Sequence, residues 1–570
     1  MNRTRRQFIR TIGATGAATL LPFRGASTLA ALNKSVRLLD GAYVSSKLWE
    51  NHHQTIAFKP ERYYDIWNCR DDNSSPERRR WQAALDIIRQ LVRDAERHGC
   101  QIRALGGGWS LSKAVETRGF LVNTKPLNVV EIGVHPENCA PEFLHCDRGN
   151  SEGTKADCLV FTQCGASVAE LSALLESRGL SLPTSGASNG QTICGAVSTG
   201  THGGAARFGS IQDFVVGIHI VSEGGKECWL QRKSKPVINQ RFCDILGPET
   251  LLIEDDRLFN AALVSFGSFG IIHALLLQAE PLFLLRRRIN ARSYKDVLPR
   301  LGSLSRLEEL GCEPRLGRPF HYEVLINPYD LHSEYGTLFR HMYKLRPPDA
   351  YKVDDRPLEK RRQSSETLSN DAFGLIGKFV GLVPLAVPLA VNAIFKSQTE
   401  SDNGTTLTHG ETFDATHIPG HSVSSELGLD LKHVSEATEI IVEEMRRGMF
   451  PGILSLRYVK ASPALLAFTK FEEVTCTAEI VGVRTFSSLK TYRRIWEKLE
   501  NARSPILFTY HWGQLQRWGE NPAASRERIS QVFGSRLDEW LNARRKFLPS
   551  SGLYTFSGPL LEDCGLSEAY

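Results

Sequence analysis

No two cysteines in this 570-residue chain are spaced as CxxC, and no His/Cys cluster has the spacing of a zinc site. Twelve cysteines over such a length are too dilute for a disulfide-built scaffold, although Cys139 and Cys146, inside a polar stretch, are candidates for one bond. The body of the chain has no uncharged apolar run of the ~18–20 residues that a spanning helix needs. Net charge is scarce as well: 69 Lys and Arg against 63 Asp and Glu leave +6. Arg3, Arg5, Arg6, Arg10 and Arg24 fall in the first 31 residues with no acid among them. The remainder is therefore close to neutral, and no nucleic-acid partner is implied.

What is present begins with an address. Thr4-Arg5-Arg6-Gln7-Phe8-Ile9-Arg10, a weakly apolar stretch from Thr11 to Phe23 and small residues from Gly25 to Ala31 follow the order of a secretory leader. The paired arginines resemble a twin-arginine (Tat) signal, so residues 1–31 are expected to be removed and the folded protein to be periplasmic or secreted.

Beyond it, hydrophobic periodicity sets out the first elements. Trp81, Ala84, Leu85, Ile88, Leu91, Val92 and Ala95 lie on one face of a helix opening near Pro76 and stopped by Gly99. Ile102–Leu105 is a short strand running straight into Gly106-Gly107-Gly108. A polar, irregular stretch from Pro136 to Asp157 reads as a surface insertion. Leu159–Thr162 is a second strand, and Ser167 with Glu170 forms a capping box ahead of a helix ending at Gly179. Strands are expected at Phe214–Val221 and Ile271–Leu277. A charged stretch, Arg356 to Ser369, and a 17-residue uncharged apolar segment, Phe379 to Phe395, interrupt the later part of the chain. Pro384 and Pro388 argue against a continuous spanning helix there. Buried core, a lid, a substrate-channel wall and membrane-surface contact all remain open for it.

The glycine loops carry the chemistry. A buried pyrophosphate needs donors to offset its desolvation, and consecutive backbone amides in turns supply them where glycine permits close approach. Gly106–Gly108 fits that need, without the GxGxxG spacing of a Rossmann fingerprint or the GK[ST] of a Walker A loop. The second run, Gly186 to Gly204, is dense in small and hydroxyl residues. It suits the wrapping of an extended, phosphate-bearing ligand better than a packed core.

Leu105-Gly-Gly-Gly-Trp-Ser110, Gly195-Ala-Val-Ser-Thr-Gly-Thr-His-Gly203 and Phe266-Gly-Ser-Phe-Gly-Ile-Ile272 resemble the flavin-binding domain of the vanillyl-alcohol oxidase superfamily. The resemblance is to its branch of sugar-1,4-lactone and alditol oxidases. Leu454-Ser-Leu-Arg457 resembles a cap strand with a Glu-x-Arg pair, and His511-Trp512-Gly513-Gln514 a His-Trp-x-Lys motif. The resemblance implies an α+β protein: a PCMH-type two-subdomain FAD-binding domain over residues 55–284, an α+β cap with an antiparallel sheet over 285–525, and a segment, 526–570, returning to the flavin domain.

It also implies FAD held by Gly106, Gly107, Gly108, Ser110, Ser188, Thr192, Gly195, Ala196, Thr199, His202 and Gly203, with Gly270, Ile271 and Ile272 meeting the adenine. Trp109 stands where many members carry a flavin-linked histidine, so the FAD is expected to be dissociable, with the indole packed by it. Cys194 has the wrong offset to serve as a tether. Arg457 is the expected charge near the flavin's N1–C2 edge, and His511 the active-site donor or base. Ser455 and Gln514 replace the glutamate and lysine and offer only hydrogen bonds. Glu426, Asp430 and His433 are fallback candidates, more in keeping with solvated positions.

The expected activity is oxidation of a CH–OH group of a small sugar lactone or polyol, with oxygen or another acceptor reoxidising the flavin. Phe379–Phe395 and the weakened polar grips keep open an apolar alcohol such as a sterol. Ser455 and Gln514 keep open a flavin-binding protein without efficient turnover.

Overall fold

The computed structural model describes residues 36–39, 42–68, 77–145, 155–353, 386–401, 404–413, 422–502 and 506–567. The leader over residues 1–31, the charged stretch 356–369, Cys146 and the start of the apolar segment, 379–385, lie outside them. Cys139 is a buried free thiol. Residues 35–570 form one compact unit.

Three sheets organise this unit. The first has five strands in the order Val36–Leu39, Ala42–Ser45, Arg62–Ile66, Phe120–Asn123 and Ile102–Leu105, the last two pairings being parallel. This sheet starts at Val36, ahead of the residue 55 at which the flavin-binding domain was expected to open. The helix Glu77–Arg97 is laid across it. Its Ala84, Leu85, Ile88, Leu91 and Val92 are buried with Tyr64, Ile66, Ile102 and Phe120, and Gly99 ends it with φ +61°. The apolar face read from the sequence is thus the packed face.

The second sheet has six strands, with Val215–Ser222 and Ile271–Gln278 at its centre and Leu159–Gln163 beside them. The helix Val168–Ser177 opens with the Ser167–Glu170 capping box in both directions, a device contributing about 1 kcal/mol.

From Leu284 the chain enters the third sheet, eight antiparallel strands in the order Thr406–Thr408, Leu284–Arg292, Thr337–Leu345, His321–Ile326, Gly452–Lys460, Val474–Val483, Ser422–Asp430 and Phe508–Tyr510. One face is apolar. Val324, Leu454, Leu456, Ala478, Ile480 and Leu427 pack there against the helices Val434–Arg447 and Phe486–Glu500. At one end of the other face, Ile289, Leu325, Leu338 and Ile453 lie under the helix Val387–Ser401 through Val387, Val391 and Phe395. The described part of Phe379–Phe395 is therefore core-forming. The rest of that second face is polar, and it carries the site.

The closing helices return to the flavin-binding half. In Ser535–Phe547, the indole of Trp540 donates to the Ala261 carbonyl (3.1 Å), and Arg544 Nε donates to that of Ser268 (3.0 Å). No helix among the described residues is long and apolar enough to cross a membrane.

Candidate active site

The two glycine-rich loops meet. A Cβ on Gly106 would stand 2.1 Å from Thr192 Oγ1, and one on Gly107 would stand 3.2 Å from the Gly190 carbonyl oxygen. Gly108 has φ +69°, a conformation that favours glycine. Only backbone fits between these segments. Gly106→Ala is expected to push them apart and lower the flavin-to-protein absorbance ratio of the purified chain at least tenfold; a full flavin complement would contradict this account of the loop.

The loops form the floor of a cleft of about 270 Å³, partly open to solvent. Gly106, Gly107, Gly108, Trp109, Ser110, Ser188, Thr192, Gly195, Ala196, Thr199, His202 and Ile272 all line it, as do Arg457, His511 and Gln514. Three expected residues do not. Ile271 points into the hydrophobic core with Ile102 and Val221, because neighbouring residues of a strand face opposite ways. Gly203 is pressed against the Ser185 carbonyl and lines a smaller cavity behind the loop. Ser455 turns away to donate to Glu323 Oε1 (2.9 Å).

The cleft has unmet hydrogen-bonding capacity. Thr192 Oγ1, Gln191 Oε1 and Arg103 Nη1 are buried in its walls with no partner. Native interiors seldom tolerate such atoms, and here they follow the loops that would grip a dinucleotide. The donor set fits FAD. Trp109 stacks on the ring of His52 (centroids 4.5 Å apart, planes at 15°) and meets His53 edge-on at 5.5 Å. His53 lines the same cleft, and its Nδ1 is 3.1 Å from Ser422 Oγ. Burial and His52 push its pKa down to about 4.

Facing the loops is the polar part of the cap sheet, and the register explains how it is assembled. Glu323 is paired with Arg457, Ser455 with Glu479, and Glu479 with Glu426. Residues directly opposite in an antiparallel ladder share a face, and so do residues two apart along a strand. Glu323, Ser455, Arg457, Glu479, Glu426 and Ser424 therefore form one row across four strands.

Charges alternate along it. Arg340 Nη1 lies 3.0 Å from Glu323 Oε2, Arg457 Nη2 bonds Glu479 and lies 3.4 Å from Glu426 Oε1, and His202 Nε2 lies 3.0 Å from the same oxygen. Gln514 Nε2 donates to both Glu426 (3.2 Å) and Glu479 (3.3 Å), while Ser424 Oγ donates to Glu479 (2.8 Å). Burial works against the charged form of Glu426, but His202 and Arg457 outweigh it and hold the carboxyl far below its ordinary range. Burial is likewise overcome at Glu323, which Arg340 and Arg457 bring down to about 2. Burial would lower the Arg457 pKa, yet Glu479, Glu426 and Glu323 raise it above its usual value. Glu426 and Glu323 are thus ionised at neutral pH.

His511 is a donor and not a base. The Gly513 amide donates to its Nδ1 (3.0 Å), so a neutral ring carries its hydrogen on Nε2. Burial lowers its pKa to about 4, against the pull of Glu426, so the ring is neutral at pH 7. The same assignment counts against a metal. His202, Glu426 and His511 gather ligand-type atoms within 4.8 Å of one another, but an Nε2 that bears hydrogen is no ligand.

Glu426, ranked from sequence as a solvated fallback, is a central residue of the site, 1% exposed. Asp430 instead caps the turn at Lys432, and His433 precedes the helix Val434–Arg447, so neither belongs to the site. Glu323, Glu479, Ser424, His53 and Arg103 were missed. The loss of polar grips inferred from Ser455 and Gln514 is corrected as well, because Glu426 and Glu479 restore carboxylates from neighbouring strands. No described residue of the helix Val387–Ser401 lines the cleft.

Residues 84–231 match the family described as an FAD binding domain. Over 450 residues the chain is 23% identical to L-gulono-1,4-lactone dehydrogenase of Mycobacterium tuberculosis, covering 78% of this chain and 87% of that protein. Over 250 residues it is 24% identical to D-arabinono-1,4-lactone oxidase of Saccharomyces cerevisiae, covering 44% and 40% respectively. In fold it is similar to a crystal structure of cholesterol oxidase from B. sterolicum, with a TM-score of 0.65 and 14% identity over 96% of this chain and 100% of that one.

Proposed function

We propose that this chain, an FAD-dependent oxidoreductase of the vanillyl-alcohol oxidase superfamily, oxidises a CH–OH group of a sugar lactone or a similar small polyol. The observation that carries the reading is the row Ser424, Glu426, Arg457, Glu479 set across a cleft from two glycine loops. Bound FAD supplies the hydride acceptor at N5.

The rest is work for the side chains. Glu426 and Glu479 accept hydrogen bonds from substrate hydroxyls, and Gln514 and Ser424 fix the two carboxylates in place. Arg457 bonds Glu479, helps hold Glu426 ionised and sets positive charge where negative charge grows during reaction. The carboxylates orient the reacting hydroxyl by accepting its hydrogen bond; Glu426, held far below its ordinary range, acts as an acceptor and not as the group that keeps the proton. His511 offers an Nε2–H to an oxygen of the substrate. Six polar side chains converging on one cleft suit a ligand with several hydroxyls and would be left unpaired by an apolar alcohol, which disfavours the latter by several kcal/mol.

Anaerobic mixing tests this. L-gulono- or D-arabinono-1,4-lactone is expected to bleach the ~450 nm flavin band and cholesterol to leave it unchanged. Bleaching by cholesterol alone would overturn the substrate class, and bleaching by none of them would favour a flavin-binding protein without efficient turnover. Peroxide formed on admitting air distinguishes oxygen from another acceptor.

The FAD is non-covalent in this reading, since the indole of Trp109 makes no bond to the flavin ring. Acid precipitation is expected to leave yellow FAD in the supernatant, and a yellow pellet would contradict the assignment. The paired arginines of the leader support export to the periplasm or beyond by a Tat-type route, and residues 1–31 fused to a reporter test it.

A further inference from the structure

We propose that Arg103 is the charged anchor of the cofactor's ADP half, pairing with the pyrophosphate; this rests on the FAD reading above. Arg103 lies on the strand Ile102–Leu105, which runs directly into the Gly106–Gly108 turn. Its side chain is 4% exposed and lines the flavin cleft. Nη2 donates to the carbonyl oxygens of Ala114 and Phe266. Nη1 is buried with no partner, and no carboxylate among the described residues pairs with this guanidinium.

A second buried guanidinium, Arg544, is close enough to repel it. Arg544 donates to the carbonyls of Ser268 (3.0 Å), Ser567 (2.8 Å) and Leu553 (2.7 Å). Burial first, and Arg544 second, lower the Arg103 pKa to about 10, which still leaves it charged at neutral pH. Cations buried among carbonyls alone are costly, and a protein keeps one where an anion completes it.

The space for that anion is present. Gly267, at φ +73° in the turn after Phe266, lines the cleft and has nothing within 4 Å of the position a Cβ would take. FAD brings two negative charges on its pyrophosphate, and an arginine binds phosphate oxygens through its planar fork. The backbone amides of the glycine turn provide dipoles, whereas Arg103 provides a full charge and is the cation among the described residues of this part of the cleft wall. It is a positioning residue, acting on the cofactor and not on the reacting carbon.

A rival account exists. Phe266 holds a positive φ of 55°, and Arg103 grips its carbonyl, so in this account the arginine only pins a strained turn. The two accounts differ in sign for the flavin-free chain. Full-length protein freed of flavin is titrated with FAD, ADP and riboflavin, and its melting temperature is measured without ligand, for wild type, Arg103→Met and Arg103→Lys. Pairing with the pyrophosphate predicts a roughly ten- to hundred-fold loss of FAD and ADP affinity in Arg103→Met. Riboflavin, which lacks the phosphates, binds unchanged, and the flavin-free melting temperature is equal or higher because an uncompensated charge has been removed. Arg103→Lys is intermediate. Undiminished FAD binding by Arg103→Met overturns the proposal, and so does an equal loss of FAD and riboflavin with a lowered melting temperature. If the wild-type chain itself takes up no FAD, it is the cofactor reading that falls.

Discussion

Arg457→Met is expected to lower the rate of anaerobic flavin bleaching by about 10²–10³-fold, the scale seen when a preorganised electrostatic donor is removed. Arg457 contacts both Glu479 and Glu426 and, through the ladder, sits opposite Glu323. Without it Glu426 and Glu479 face each other inside the cleft with no guanidinium between them. At least one would take up a proton at neutral pH, losing its acceptor role and repositioning Gln514. Arg457→Lys restores the charge but not the fork that serves two carboxylates at once, so partial recovery is expected. Flavin content should stay near wild type, since the glycine loops are untouched. Bleaching at the wild-type rate in Arg457→Met, with flavin bound, would remove the charge row from the mechanism. Breaking a buried network of this kind also costs about 3–5 kcal/mol of stability, so the flavin ratio and melting temperature are read beside the rate.

The second large effect is acid unfolding. Burial pushes His273 and His511 down to about 4, and His321 and His409 to about 3; each is fully buried and neutral at pH 7. The unfolded chain titrates these groups near pH 6.5 and the folded one well below. Their contribution is therefore complete above about pH 6.5 and lost as pH falls from there toward 4 and 3. A shift of this size is worth about 3 kcal/mol per group, so four together rival the ~5–15 kcal/mol stability of a typical domain. Asp213 acts in the opposite sense, because burial pushes its carboxyl up to about 6, but it offsets only one of them. The protein should lose its cooperative transition before pH 4. His409 supplies a control: neither of its ring nitrogens has a partner, and it packs against Phe283 and Phe413. His409→Phe should make the fall in melting temperature visibly shallower. A melting temperature flat from pH 7 to 4.5 would refute the account.

The legible and illegible parts of the site divide by range. The Gly106–Gly108 turn, the Gly186–Gly204 run and the capping box at Ser167 are local, and each appears in the structure where the sequence placed it. The charged row is not local. Glu323, Glu426, Arg457 and Glu479 are far apart in sequence, and only strand register aligns them. A signal was available. Ser422, Ser424 and Glu426 alternate with Val423 and Leu427, and Thr475, Thr477 and Glu479 alternate with Cys476, Ala478 and Ile480. Polar residues at every second position of a strand with buried neighbours mark an inward polar face. Glu426 belongs to that inward face and is buried, not solvated.

What the sequence settled unaided was the helices and strands around the phosphate loops, because main-chain conformation there depends on glycine and on short-range periodicity; the cofactor class and the grouping of Arg457, His511 and Gln514 were what the family resemblance implied. Only the tertiary structure decided which carboxylates face the cleft, that Ser455 turns to Glu323, that His511 donates, and that Arg103 is buried without an acid. Those facts depend on which strands are neighbours and by how many residues they are offset, and pairing is fixed by the packing of the whole sheet, not by any one of its strands.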